Sequence, residues 1–339
     1  MNTELSKKML FLSLSISALV LSHTFTFALE VTELSQYGIT WAFDQPREVG
    51  QFANGDWWVV GPVTITEIDP APTGGRNGTM KNPAASNQQG YDDRGVRFNQ
   101  DLYITPPIKL QPGDCIISSE SLDEMERKSW LKKMAILTVV DTPQHPNKFR
   151  PPYTRPHRVP QSAHDELIFS DDDIQWDILL NLASVPSTPD PLATAMTLRK
   201  IVPEHAQGWD TRNHVTPAEH HSIYGREIAN TVGALSLLLL TDLDREDKMP
   251  VAISLIQYGI DLYGVMLDGG EWHADGGIYH GRKWPILFTG LLLDDENAQT
   301  EHDDAMRSIG SVSIDAVGYK GPGYIQFQED EQTFYVTGH

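Results

Sequence analysis

The chain has 339 residues, 40% of them hydrophobic and 21% charged, which is enough apolar material for a real core and excludes a disordered or low-complexity polymer. Its length predicts two domains. Lys and Arg number 26 against 46 Asp and Glu, a formal charge of −20 that argues against nucleic acid or an anionic membrane as a partner for the whole surface.

Lys7 and Lys8 precede an apolar run from Met9 to about Leu21, followed by Thr26-Phe27-Ala28. A charged start, an apolar middle and a small-residue end predict a secretory signal peptide over 1–28, hence a secreted or periplasmic protein. No later stretch has about 18 consecutive apolar residues, so no membrane span is expected after cleavage. Cys115 is the single cysteine, so no internal disulfide can form; its setting reads as a buried structural thiol.

Residues 29–140 carry strand signals. Trp57-Trp58-Val59-Val60, Val63-Thr64-Ile65-Thr66 and Ala135 to Val140 are β-branched and aromatic, punctuated by Gly, Pro and Asn. Their spacing predicts a β-sandwich-like domain. Ser121 and Glu124 form a capping box that predicts a brief helix over Met125 to Met134. From 141 to 165 six prolines forbid regular structure, predicting a linker or strap whose Arg150, Arg155, His157 and Arg158 are basic.

The remainder, 166–339, reads as helical. Ser170 with Asp173 caps a helix to about Ser184, and Asp190-Pro191 opens one to about Val202. Thr216-Pro217-Ala218-Glu219 starts a long helix to roughly Thr241. A second covers about Met249 to Leu267, ended by Gly269-Gly270, and a third runs from Trp284-Pro285 to Leu293. These helices are apolar on more than one face, as in an α/α toroid or related array, giving an α+β multidomain chain overall. Their number is too small to close a toroid.

A helix over 217–241 is ~37 Å long at 1.5 Å per residue. Joined by a short turn to its successor, it runs antiparallel to it and brings its own start to the level of loop 268–283. That rim collects Asn213, His214, His220, His221, Tyr224, Arg226, His273, Asp275, Tyr279, His280, Arg282 and Lys283. Arg, Lys and Asn can hold a carboxylate, and Tyr or neutral His can move a proton. Those are the parts for β-elimination from a uronate: removal of the proton beside the carboxylate and expulsion of the 4-linked sugar.

Gly55-Asp56-Trp57-Trp58-Val59-Val60-Gly61-Pro62, Tyr224-Gly225-Arg226 and Gly281-Arg282-Lys283-Trp284-Pro285-Ile286-Leu287-Phe288 resemble blocks of a family of uncharacterised secreted bacterial proteins. The helical half, through Asn213-His214 and the Tyr/Arg/His-rich rim, resembles the α/α-toroid polysaccharide lyases that act on alginate and heparinoids. Those lyases commonly place the β-rich part last, whereas here it comes first. The resemblance implies that Asn213 and Arg282 neutralise the uronate, His214 or His280 assists, and Tyr224 or Tyr279 transfers the proton. His220, His221, Arg226, Trp272, His273 and Lys283 would then bind an acidic polysaccharide. No cofactor is expected; His273, Asp275 and His280 are the weaker alternative as ligands of a divalent metal. Two other readings stand beside the lyase: a glycan-binding or cell-surface structural protein without catalysis, and a glycoside hydrolase drawing its acids from Glu219, Glu271 and Asp275.

Overall fold

A computed structural model describes residues 29–154, 169–293 and 327–331. The expected signal peptide, Arg155, His157 and Arg158 lie outside these residues. Eight strands form one sheet: β1 (Leu29–Gln36), β2 (Ile39–Gln51), β3 (Trp57–Val60), β4 (Val63–Asp69), β5 (Thr79–Lys81), β6 (Ile108–Leu110), β7 (Cys115–Glu126) and β8 (Ser129–Val140). Val49 pairs with both Leu29 and Val59, and Thr40 with both Ser35 and Asp69, so β3 and β4 lie end to end along one edge of β2 with β1 along the other. Beyond β3 the order continues through β8 and β7 to β5, and beyond β4 to β6.

The sheet curls into a half-barrel. Trp41 on β2 shows the closure, its buried indole N–H donating to Ser118 Oγ on β7 at 3.0 Å although β3 and β8 intervene in the order. Alternation on β7 and β8 separates two cores. Ile116, Ala135 and Leu137 face the inside of the curl with Trp41, Ile65 and Val59. Cys115, Ile117, Met134 and Ile136 face outward and pack on the helices.

The helices are α1 (Pro191–Met196), α2 (Trp209–Val215), α3 (Gly225–Leu239), α4 (Arg245–Leu267) and α5 (Lys283–Leu293), with one further turn, α6 (Gln328–Glu331). Helix α4 is long and apolar enough to cross a membrane, yet 83% of its most apolar window is buried inside the protein. It is the centre of the helical layer, packed by α1, α3 and α5.

This architecture corrects the expected fold class. A single curled sheet replaces the sandwich, and the helices form one layer against it rather than an α/α toroid. The local reasons are specific. The capping box at Ser121 and Glu124 starts no helix, because the buried run Met134–Val140 pairs with β7 and draws its polar continuation into a hairpin. The start signal at Thr216-Pro217 also yields. The N–H groups of Ala218 and Glu219 donate to the carbonyls of Leu131 and Lys132 on β8, and the long helix begins at Gly225 instead. Ser170 and Asp173 do form their capping box, but around a single 3₁₀ turn, Asp171–Asp173. Helix α1 starts on Asp190 as expected and stops at Met196; beyond it the carbonyls of Lys200 and Ile201 accept from His221 Nε2.

Leu255 on α4 is fully buried in the helix–sheet core. Leu255→Ala is expected to lower unfolding free energy by about 2–5 kcal/mol in denaturant titration; a loss below about 1 kcal/mol would show that α4 is not central to packing.

Candidate functional site

Helix α2 is short, and its faces point to different environments. Trp209 and Asn213, four residues apart, share one side. Arg212 turns inward, where both its Nη atoms bond Glu204. His214 turns toward the loop between β5 and β6, its Nδ1 accepting from the Val96 N–H at 3.0 Å. That bond leaves any proton of a neutral ring on Nε2. Burial, aided by Lys128 and opposed by Asp210, lowers the pKa of His214.

Helix α3 begins where Gly225 lets the chain approach loop 268–282. A Cβ there would lie 1.7 Å from the Ile278 carbonyl oxygen, so only glycine fits. The preceding Tyr224 donates its hydroxyl to the carbonyl of Gly276. The loop turns beneath that phenol with Gly276 and Gly277 at φ 56° and 107°.

The third contribution comes from the sheet. Glu126 pairs with Ser129, leaving Arg127 and Lys128 as a two-residue hairpin tip with φ 48° and 72°, the geometry of a type I′ turn. Hairpin, α2, α3 start and loop enclose a cleft of about 550 Å³ lined by Arg127, Lys128, Trp209, Asn213, Ile223, Tyr224, Asp275, Gly276 and Ile278. Trp209 is 52% and Tyr224 38% exposed, whereas Asn213 is only 3% exposed. Arg127 stands 3.7 Å from Glu126, and Lys128 makes no ion pair among the described residues.

Of the rim residues predicted from sequence, the structure brings Asn213, Tyr224 and Asp275 into this cleft. Arg226 stands beside it, exposed, 5.6 Å over the Tyr224 ring and paired with Glu227. Others are drawn inward. Arg282 is fully buried against Glu204, which also accepts from Tyr258 Oη at 2.8 Å and Trp272 Nε1 at 3.1 Å. Burial alone would raise the Glu204 carboxyl, but Arg212 and Arg282 outweigh it and hold it well below the usual range. Trp272 stacks on Phe327. Tyr279 is buried, and burial pushes it up to about 12 despite Arg212 over its ring. His280 meets Gln328, and half-buried Lys283 stands 6.0 Å over the Phe327 ring.

His220 and His221 line a different hollow with Glu227 and Asn230. Burial lowers them to about 2 and about 4. His273 pairs with Glu271 at 2.9 Å, apart from His280, and among the described residues no three His, Cys, Asp or Glu side chains gather as a metal site. Glu219, one of the acids of the hydrolase reading, is exposed and pairs with Lys133.

Sequence reading missed Arg127, Lys128 and Trp209. The first two fell inside a helix that does not form. The i, i+4 spacing of Trp209 and Asn213 is the signal that could have revealed the third. No protein-family profile, curated protein or solved structure matches the chain.

Two outcomes test these placements. Glu204→Gln leaves the buried guanidiniums of Arg212 and Arg282 without their counter-charge and should cost about 3–5 kcal/mol in stability; a variant as stable as the parent would show that Arg282 is not held by this cluster. The buried imidazoles set the pH response. His205, held at about 3 by burial, joins His220 and His221 in remaining neutral when folded, so their contribution is complete above pH 6.5 and lost as pH falls. Asp261, raised by burial to about 6 against the pull of Arg150, acts oppositely, favouring the fold below pH 3.8 and losing that effect as pH rises through 6. Three against one, the unfolded chain holds roughly two more protons near pH 5. Stability should therefore fall by about 2–3 kcal/mol per pH unit there. Denaturant midpoints that stay level between pH 7 and 5 would contradict this.

Proposed function

We propose that the cleft binds an acidic saccharide, and that this is the protein's function. The observation that carries the reading is the combination at one opening of two exposed cations, Arg127 and Lys128, with two exposed aromatic faces, Trp209 and Tyr224. Aromatic faces suit the C–H faces of sugar rings, and the cations suit carboxylates along a polymer. Each is ordinary alone. In a chain of net charge −20, a cationic hairpin tip opposite stacking surfaces selects an anion locally against the field of the whole protein. Asp275 on the opposite lip supplies an acceptor for sugar hydroxyls. An extracellular glycan partner also agrees with the export signal predicted at the N-terminus.

A uronate lyase is the second reading, favoured by Tyr224, whose hydroxyl lies in the same cleft as Asn213. In that reaction the phenolate takes the C5 proton, the electron pair forms the C4=C5 double bond, the C4–O bond breaks, and the departing oxygen takes a proton. Tyr224 donates to Gly276, so this bond must break before the phenol can act as a base.

Gel retardation in polygalacturonate tests binding. The protein should be retarded there and not in neutral dextran, less so at high salt. Arg127→Glu with Lys128→Glu should weaken the interaction at least tenfold, and Trp209→Ala about 5- to 100-fold. Equal retardation in both polymers, or none lost in the charge-reversed variant, would overturn the reading. Ultraviolet absorbance from an unsaturated product, abolished in Tyr224→Phe while retardation persists, would establish the lyase; retardation without absorbance would leave a binder.

A further inference from the structure

Asn213 is set apart from the other buried amide side chains. Gln36, Asn54, Gln89, Gln257 and Gln328 each make at least one side-chain hydrogen bond, and Gln257 bonds at both ends, accepting from the Arg150 N–H at 2.9 Å and donating to its carbonyl at 3.0 Å. The Gln36 amide oxygen also lacks a partner, but Asn213, only 3% exposed, lacks one on its oxygen and makes no side-chain hydrogen bond at all among the described residues. A buried acceptor left unmet is costly, and native interiors rarely retain one without a use. Asn213 is among the residues that line the cleft, with Trp209 and Tyr224.

We infer that Asn213 reads a pair of neighbouring free hydroxyls, so that the acidic saccharide is a uronate polymer unsubstituted at those positions. The inference rests on the acidic-saccharide reading and deepens it. A side-chain amide presents an acceptor and a donor side by side. Two hydroxyls on adjacent ring carbons match that pair, one donating to Oδ1 and the other accepting from Nδ2. A sugar ring stacked on Trp209 turns its hydroxyl edge toward the floor, while its carboxylate meets Lys128 and Arg127 at the lip. Other saccharide groups fit less well. A trans acetamido group points its N–H and C=O in opposite directions and cannot satisfy both atoms of one amide. An acetate or sulfate ester removes the donor that Oδ1 lacks and adds bulk at a buried floor.

Calorimetric titration with an oligogalacturonate and with the same oligomer acetylated at O2 and O3 tests this. The parent protein should bind the free form at least tenfold more tightly. Asn213→Leu should bind it at least tenfold more weakly than the parent and should no longer distinguish the two forms. Equal binding of both forms by the parent overturns the inference and leaves the acidic-saccharide reading standing. Full discrimination persisting in a folded Asn213→Leu protein also overturns it, since bulk alone would then explain the preference. Binding of neither form overturns both. Should Asn213→Leu fail to fold, the parent is titrated with the 2-deoxy oligomer, which loses a hydroxyl without gaining bulk: binding at least tenfold weaker supports the inference and unchanged binding overturns it.

Discussion

The carboxylate of Glu204 is where the separate parts of the helical layer are tied together. Fully buried, it takes hydrogen bonds from Arg212 on α2, from Arg282 and Trp272 on the loop after α4, and from Tyr258 on α4 itself. A lone carboxylate at that depth would be neutral or expelled; two guanidiniums keep it charged, and each guanidinium needs the carboxylate in return. The cluster orients α2 through its inner face, and the outer face of the same short helix then presents Trp209 and Asn213. Because Arg282 also bonds the carbonyls of Gly225 and His280, the start of α3 is fastened to the loop from behind. The cleft is therefore a consequence of charge satisfied beneath it.

A second buried network does the equivalent work between sheet and helices. Arg150 bonds Asp56, beside β3, and Asp261 on α4, with distances of 2.7 Å and 2.6 Å. One cation faces two acids here, the reverse of the Glu204 cluster, and burial consequently raises Asp261. The two clusters divide the labour: Arg150 attaches the segment after β8 to α4, and Glu204 attaches α2 and the loop.

What could be read in advance follows the range of each interaction. Asp190-Pro191, the glycine stop after Leu267 and Trp284-Pro285 are local chemistry, and all three mark real boundaries. Ser121 and Thr216 carry equally good local signals and start no helix: Ser121 is paired with Leu131 across the β7–β8 hairpin, and the N–H groups after Thr216 are claimed by β8 from far along the chain. The meeting of Tyr224 with loop 275–278 is foreseeable from two successive helices folding back, even though α3 starts eight residues later than its proline suggests. Arg282 could not be placed by pattern. An arginine in a glycine-rich loop looks like a ligand, and only the partner Glu204, 78 residues away, makes it structural.

The cleft belongs to neither layer. Its cations stand on a strand-to-strand turn, its stacking and amide groups on helices, and its far lip on a loop. Side chains alternate along a strand, so a slip of one residue between β7 and β8 would carry Arg127 and Lys128 to the other side of the hairpin and away from Trp209. Register is held elsewhere. The outward set Met134 and Ile136 must meet the helical core while Ala135 and Leu137 fill the curl, and a slip would exchange the two. The irregularities at Ser121 then absorb the mismatch between this fixed inner half and the free tip. Packing far from the opening thus decides where its charges stand, and the two-sided core of β8 is as much a part of the binding site as the residues that line it.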